Sequence, residues 1–174
     1  VRFSPTAAGT FTGAVNNAST GAAPQVVATS AVSVSYFNLD ASPFIETFDS
    51  IGNGLPSGVS VRTGATSGSV GTSATYSPNR TNWTSTSGGF FNYASGDIGS
   101  SQPQSTATDR ALGIRQTGSF GAPGGAFVVP VGDTLGKINF TLDLNLQSLD
   151  AGSTRSTTWR IDWGLGFAPT SYTT

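Results

Sequence analysis

Two stretches of this chain alternate apolar and polar residues with a strict period of two. Between residues 137 and 149, Ile138, Phe140, Leu142, Leu144 and Leu146 share one face, and Asn139, Thr141, Asp143, Asn145 and Gln147 share the other. Successive side chains of a strand point to opposite sides, so this reads as a half-buried antiparallel strand. Trp159, Ile161, Trp163, Leu165 and Phe167 repeat the device, which places both tryptophans in a core. Nearer the start, residues 10–15 put Phe11, Gly13 and Val15 on one face. Residues 25–37 do the same with Val26, Ala28, Ser30, Val32, Val34 and Tyr36. With the Asn/Ser/Gly/Ala-rich turn at 16–24, these two runs predict a hairpin, which is marginal alone and needs more sheet to pack against.

Between these patterned ends lie short strand candidates at 44–48, 59–61, 111–116 and 126–131. They are separated by Gly52-Asn-Gly-Leu-Pro56, a Gly/Ser/Thr stretch at 64–77 and Gly118-Ser-Phe-Gly-Ala-Pro-Gly-Gly125. Trp83 leads to Gly88-Gly-Phe-Phe-Asn-Tyr93, and 96–108 reads as polar loop. No segment carries a helical period. Asp40-Ala-Ser-Pro43 breaks the pattern and marks a boundary, dividing the chain into 1–39 and 40–174. Many short strands with Gly/Pro turns predict an all-β fold, an antiparallel β-sandwich or jelly roll.

Composition narrows the chemistry. Only 10% of the 174 residues are charged, against about 25% in an ordinary domain. The net charge of −1 is scattered singly, so no basic stripe is available to neutralise a nucleic acid backbone. No long apolar run or basic amphipathic segment suits a membrane. The chain has no cysteine and no histidine. That excludes disulfides, thiolate or imidazole zinc sites, and the Ser-His-Asp and Cys-His nucleophile pairs. Carboxylates remain: Glu46 with Asp49, Asp109 or Asp162 offers the acid pair that a glycosidase needs about 5 to 9.5 Å apart. Each of these acids also fits a turn or a wet strand face, and the expectation is a chain that is not an enzyme.

Asp143-x-Asn145-x-Gln147 with Asp150 and Gly152 resembles a calcium loop, but Ser148 and Thr154 stand where such a loop needs glycine and a bidentate glutamate. No cofactor is expected, structural calcium at loop aspartates such as Asp97 or Asp109 being the one opening. Trp83 and Tyr93 lie in aperiodic, Gly/Ser/Thr-rich sequence and are the candidate ligand-binding residues, their rings suited to stacking on the C–H patches of a sugar. Asn17, Asn79, Asn82 and Asn139 head N-glycosylation patterns that a Ser/Thr-rich chain produces readily.

Four blocks carry a family resemblance: Phe44-Ile-Glu-Thr-Phe-Asp49 with Leu55-Pro-Ser-Gly58, Trp83 with Gly88-Gly-Phe-Phe-Asn-Tyr93, Thr108-Asp-Arg-Ala-Leu-Gly-Ile-Arg-Gln-Thr-Gly118, and Thr158-Trp-Arg-Ile-Asp-Trp-Gly164. Residues 44–174 resemble a jelly-roll-like β-sandwich module that recurs in large secreted and surface proteins of the Bacteroidetes. The opening residues, Val1-Arg-Phe-Ser-Pro-Thr-Ala-Ala-Gly9 and the hairpin after them, resemble the last strands of a bacterial immunoglobulin-like repeat. The resemblance implies an extracellular or outer-surface location and export through an outer-membrane route. It also implies closing strands after Thr174, and Asp49-Ser-Ile51 and Asp133-Thr-Leu135 fit the short, nonspecific O-glycosylation pattern of that group. Where the family commonly has Gly-Asp-Pro-Gly, this chain has Gly121-Ala-Pro-Gly124. The start at Val1 fits a processed or excised segment.

These readings converge on a non-catalytic secreted or cell-surface module for adhesion or glycan binding. Its partners would be a glycan or surface ligand, or copies of itself. Two alternatives stand beside it: a subunit or repeat of an extracellular fibre assembled by strand exchange, and an accessory domain of a secreted hydrolase.

Overall fold

Gly89–Ala94 supplies the strand around which the larger part of the molecule is organised. Phe90, Asn92 and Ala94 alternate along it and are all buried, as period two on a covered face demands. Arg110–Arg115 runs antiparallel beside it, from Gly89↔Arg115 to Ala94↔Arg110. In this register Arg110, Leu112 and Ile114 stand opposite Ala94, Asn92 and Phe90. Tyr76–Arg80 pairs in parallel on the other side, with a register shift between Ser77 and Arg80.

The computed structural model describes residues 9–17, 25–33, 35–39, 43–96, 101–121, 124–132, 134–150, 152, 154, 156–166 and 168–174. In chain order the strands are β1 (Gly9–Asn17), β2 (Gln25–Ser33), β3 (Phe37–Asn38), β4 (Ser60–Thr63), β5 (Thr72–Ser73), β6 (Tyr76–Arg80), β7 (Gly89–Ala94), β8 (Arg110–Arg115), β9 (Ala126–Val128) and β10 (Val131–Gly132). Among the described residues, helical structure is limited to the 3-10 turns Ile51–Asn53 and Trp83–Ser85 and one short helix, α1 (Ser101–Thr106). The chain is thus mostly β, in keeping with an all-β fold. Its sheets, among the described residues, are β1–β2, β10–β3, β5–β4–β9 and β6–β7–β8.

Two compact units divide the chain, Val1–Ser35 and Tyr36–Thr174. The first contains the expected hairpin, an antiparallel β1–β2 ladder from Gly9↔Ser33 to Asn17↔Gln25. Of the turn expected at 16–24, Asn16 and Asn17 belong instead to β1 and 18–24 lie outside the described residues, as do Val34, Asp97, Pro123, Asp133 and Phe167. In the second unit β3 pairs in parallel with β10, and Phe37 stacks on Phe44 with ring centroids 4.3 Å apart.

The core of the second unit is small and aromatic. Phe90 meets Phe120 and Phe127 edge-on, each at 5.5 Å, contacts that contribute about 0.5–1.5 kcal/mol apiece beyond area burial. Ile51, Val59 and Val61 complete it. Gly113 of β8 lies under the Tyr93 ring so closely that a Cβ there would collide with Cδ2. Glycine in a strand interior here marks the close approach of a neighbouring group.

Four expectations need correction. Residues 44–48 form no strand: Phe48 takes a left-handed φ of 63° and its N–H donates to the Glu46 carboxylate at 2.7 Å, a tight local turn. The expected loop at 96–108 contains α1, where Pro103 sits in the first turn with its missing N–H harmless. Residues 137–149 form no ladder, and Ile138, Phe140, Leu142, Leu144 and Leu146 stay exposed. Trp159 and Trp163 are likewise exposed rather than core, with a single bridge from Trp163 to Thr173 as the pairing of that run. The alternation specifies a face; no described strand is present to pair with it.

Candidate functional site

The most tightly built polar cluster centres on Arg110, which is 1% exposed. β8 delivers it in phase with Leu112 and Ile114, so its side chain enters the covered face. Its Nε donates to Asn92 Oδ1 at 2.7 Å and its Nη2 to the Asn92 carbonyl at 2.7 Å. Nη1 donates to the carbonyls of Gln104 at 2.7 Å and Ala107 at 3.1 Å, both at the end of α1. Asn92 Nδ2 in turn donates to the Pro78 carbonyl at 2.8 Å. One guanidinium thereby joins β6, β7, α1 and β8. Its acceptors are neutral, and burial pulls its pKa below the usual arginine value. The Arg110 N–H donates to Asp49 Oδ1 at 2.9 Å, and this bond, with a second from Thr47, holds the Asp49 carboxyl below the ordinary carboxylate range. The guanidinium bonds all run inward to the protein's own carbonyl oxygens, so the cluster is a clasp.

The two sequence candidates for ligand stacking separate. Trp83 sits on the 3-10 turn, half-buried, with the Arg115 guanidinium carbon 5.8 Å from its ring centroid. Its N–H donates to Gln104 Oε1 at 2.9 Å, and its carbonyl accepts from Thr86 Oγ1 at 2.9 Å and from Arg115 Nη1. Tyr93 is 3% exposed, stacked on Phe91 at 5.4 Å and bonded through its hydroxyl to Thr86 Oγ1 at 2.6 Å. Burial raises its pKa. Thr86 therefore links the two residues, but only Trp83 keeps partial exposure to solvent.

Three of the candidate acids are engaged in local hydrogen bonds. Glu46 caps its own turn and Asp49 serves the clasp. Asp162 Oδ1 accepts from Arg160 Nε at 2.8 Å and Thr174 Oγ1 at 2.6 Å, bonds that lower its pKa, the Thr174 one most. Among the described residues no group of three or more His, Cys, Asp or Glu gathers as a metal site. No helix among them is long and apolar enough to cross a membrane.

Exposed apolar surface is what the second unit presents instead. Ile138, Phe140, Leu142, Leu144 and Leu146, with Trp159, Ile161, Trp163 and Leu165, are between 46% and 81% exposed. Taking about 150–200 Å² for a large side chain, these nine expose on the order of 900 Å² in all. The second run is partly tied down. Trp159 stacks on Phe127 at 5.9 Å, and the N–H groups of Trp163 and Thr173 each donate to the other's carbonyl at 2.8 Å. Beside that bridge lies a cavity of about 280 Å³ lined by Trp163, Leu165, Pro169, Thr170 and Thr173 among others. The first run has no such ties: from 138 to 150 no backbone hydrogen bond to another described residue forms.

Comparison with known proteins adds no relative: no family model, curated protein or solved structure matches the chain.

Sequence reasoning missed Arg110 and Asn92. The signal was available in the phase of each strand, since Arg110 falls in step with Leu112 and Ile114, and Asn92 in step with Phe90. A polar residue on the apolar phase of a short strand is a buried one.

Proposed function

We propose that this chain is a non-catalytic module of a secreted or cell-surface protein, and that its work is association: adhesion to a surface or glycan ligand. The observation that supports this best is the apolar stripe along 138–146 and 159–165, bare of charge except for Asp143 and the mutually paired Arg160 and Asp162. Large exposed apolar areas on a folded unit mark places where another surface docks. The exposed Trp159 and Trp163 and the half-buried Trp83 carry indole rings of the kind that suit the C–H patches of a sugar ring. The adjoining cavity is of a size for one residue of a glycan.

A second reading, a structural subunit that assembles with copies of itself, draws on a different feature. Residues 138–150 form no backbone hydrogen bond with another described residue, and an open strand edge pairs with another strand. One experiment addresses the association claim common to both. The native chain and a Leu142→Lys/Trp163→Ser variant would be passed over a glycan array and also followed by light scattering. The native chain is expected to be retained on glycans or to self-associate, and the variant to do neither while keeping its fold. Native protein that stays monomeric and binds no glycan would overturn the proposal.

A further inference from the structure

We infer that residues 140–144 form an isologous interface, in which this segment pairs antiparallel with the same segment of a second copy, centred on Leu142. The inference rests on the association reading above and names the partner. Its basis is the self-complementarity of the segment. With Leu142 opposite Leu142, Phe140 stands opposite Leu144 and Thr141 opposite Asp143. Just outside, Ile138 would meet Leu146 and Asn139 would meet Asn145. Every apolar residue meets an apolar one, and each charge meets a hydroxyl rather than a like charge. Directly opposite pairs of this kind are the unit of sheet stabilisation.

Three structural facts support this segment, the first of which sets it apart from the run at 159–165. Its backbone forms no hydrogen bond to other described residues, whereas the second run is bridged to Thr173. Its apolar side chains are more than half exposed, Phe140 at 60%, Leu142 at 64% and Leu144 at 52%. Asn139 has a left-handed φ of 59°, which ends a ladder at its N-terminal side and leaves about five residues, an ordinary strand length. A symmetric pairing of identical patches closes on itself, so it yields dimers and not filaments.

The absence of cysteine makes the register readable by disulfide trapping in the full chain. Opposed Cα atoms in such a ladder lie about 4.5–5.5 Å apart, within the range a disulfide spans. Leu142→Cys is expected to cross-link with itself on oxidation, roughly 10-fold more than Phe140→Cys alone, whose copies would stand about 13 Å apart. Mixing Phe140→Cys with Leu144→Cys is expected to restore the cross-link. In the cysteine-free chain, sedimentation is expected to show a monomer–dimer shift between about 1 μM and 1 mM, the range of a weak complex. Asp143→Asn is expected to favour the dimer, because the two Asp143 carboxylates lie diagonally across the ladder. Monomers at every concentration, higher polymers, or equal cross-linking at all three positions would each overturn the inference. Monomers that still bind a glycan would leave the association proposal standing; monomers that bind none would remove both.

Discussion

The strand pair β7–β8 and the run at 138–146 make a useful contrast, because both alternate and only one is satisfied. In β7–β8 each alternating face has a partner: Phe90 meets Phe120 and Phe127, Tyr93 covers Gly113, and the Arg110 guanidinium closes on four neutral acceptors of neighbouring backbone and side chain. In 138–146 the alternation is cleaner, yet nothing described lies on either edge and the apolar side chains face water. Period two therefore tells which residues share a face. Whether that face is core or contact depends on what else is there to cover it.

The sharpest way to break the satisfied region is Arg110→Ala. It leaves the carbonyls of Asn92, Gln104 and Ala107 and the Asn92 amide oxygen without their donor, and since a buried acceptor left unsatisfied costs about 1–3 kcal/mol, a loss of at least that size is expected in denaturant melts. Arg110→Lys is expected to recover only part of this, since one ammonium cannot serve acceptors spread over β7 and α1. Next in size is Gly113→Ala, which drives a methyl into the Tyr93 ring; overpacking of this kind costs about 1–3 kcal/mol. Its near-ultraviolet signal is expected to change with stability as Tyr93 is displaced from Phe91.

Acid and alkali probe the same region more gently. The carboxyls of Asp49 and Asp162 are held below their ordinary value of 3.8 by hydrogen bonds in the folded chain. Their contribution is fully present above the unfolded value and is lost as pH falls through the folded one, so stability is expected to decline below about pH 4. Tyr76 shows the opposite sign. Burial raises it from 10.0 to about 12, while its hydroxyl sits 3.1 Å from the Ile51 carbonyl. Its contribution is present below pH 10 and lost between about 10 and 12. A pH–melting profile of Tyr76→Phe that keeps the full alkaline loss would contradict this assignment. Smallest of all is the effect of Leu142→Lys on folding. The side chain is exposed, so melting is expected to move by no more than about 0.5 kcal/mol, although association is lost.

The hairpin, β8 and the strand at β9 were legible because their alternation is bounded by Gly- and Pro-rich turns. The clasp was less so. Arginine and asparagine are usually surface residues, and only their phase with Leu112, Ile114 and Phe90 marks them as interior. The helix α1 was hidden by its composition, Ser, Gln, Pro and Thr carrying no apolar stripe. Phe44-Ile-Glu-Thr-Phe48 reads as strand by propensity, but the Glu46 carboxylate competes for the Phe48 N–H and turns the chain. Of the ligand candidates, Trp83 and Tyr93 lie in equally irregular sequence. Burial alone separates them, and the adjacent Gly113 that lets Tyr93 fold inward is twenty residues away in the chain.

Amide hydrogen exchange across concentrations tests the central contrast most directly. The account predicts slow exchange in β7 and β8 at every concentration. Residues 138–146 should exchange freely at high dilution, with protection appearing at 140–144 as the protein is concentrated. Strong protection of 138–146 in the dilute monomer would contradict it, and so would free exchange there at every concentration and with every glycan that binds.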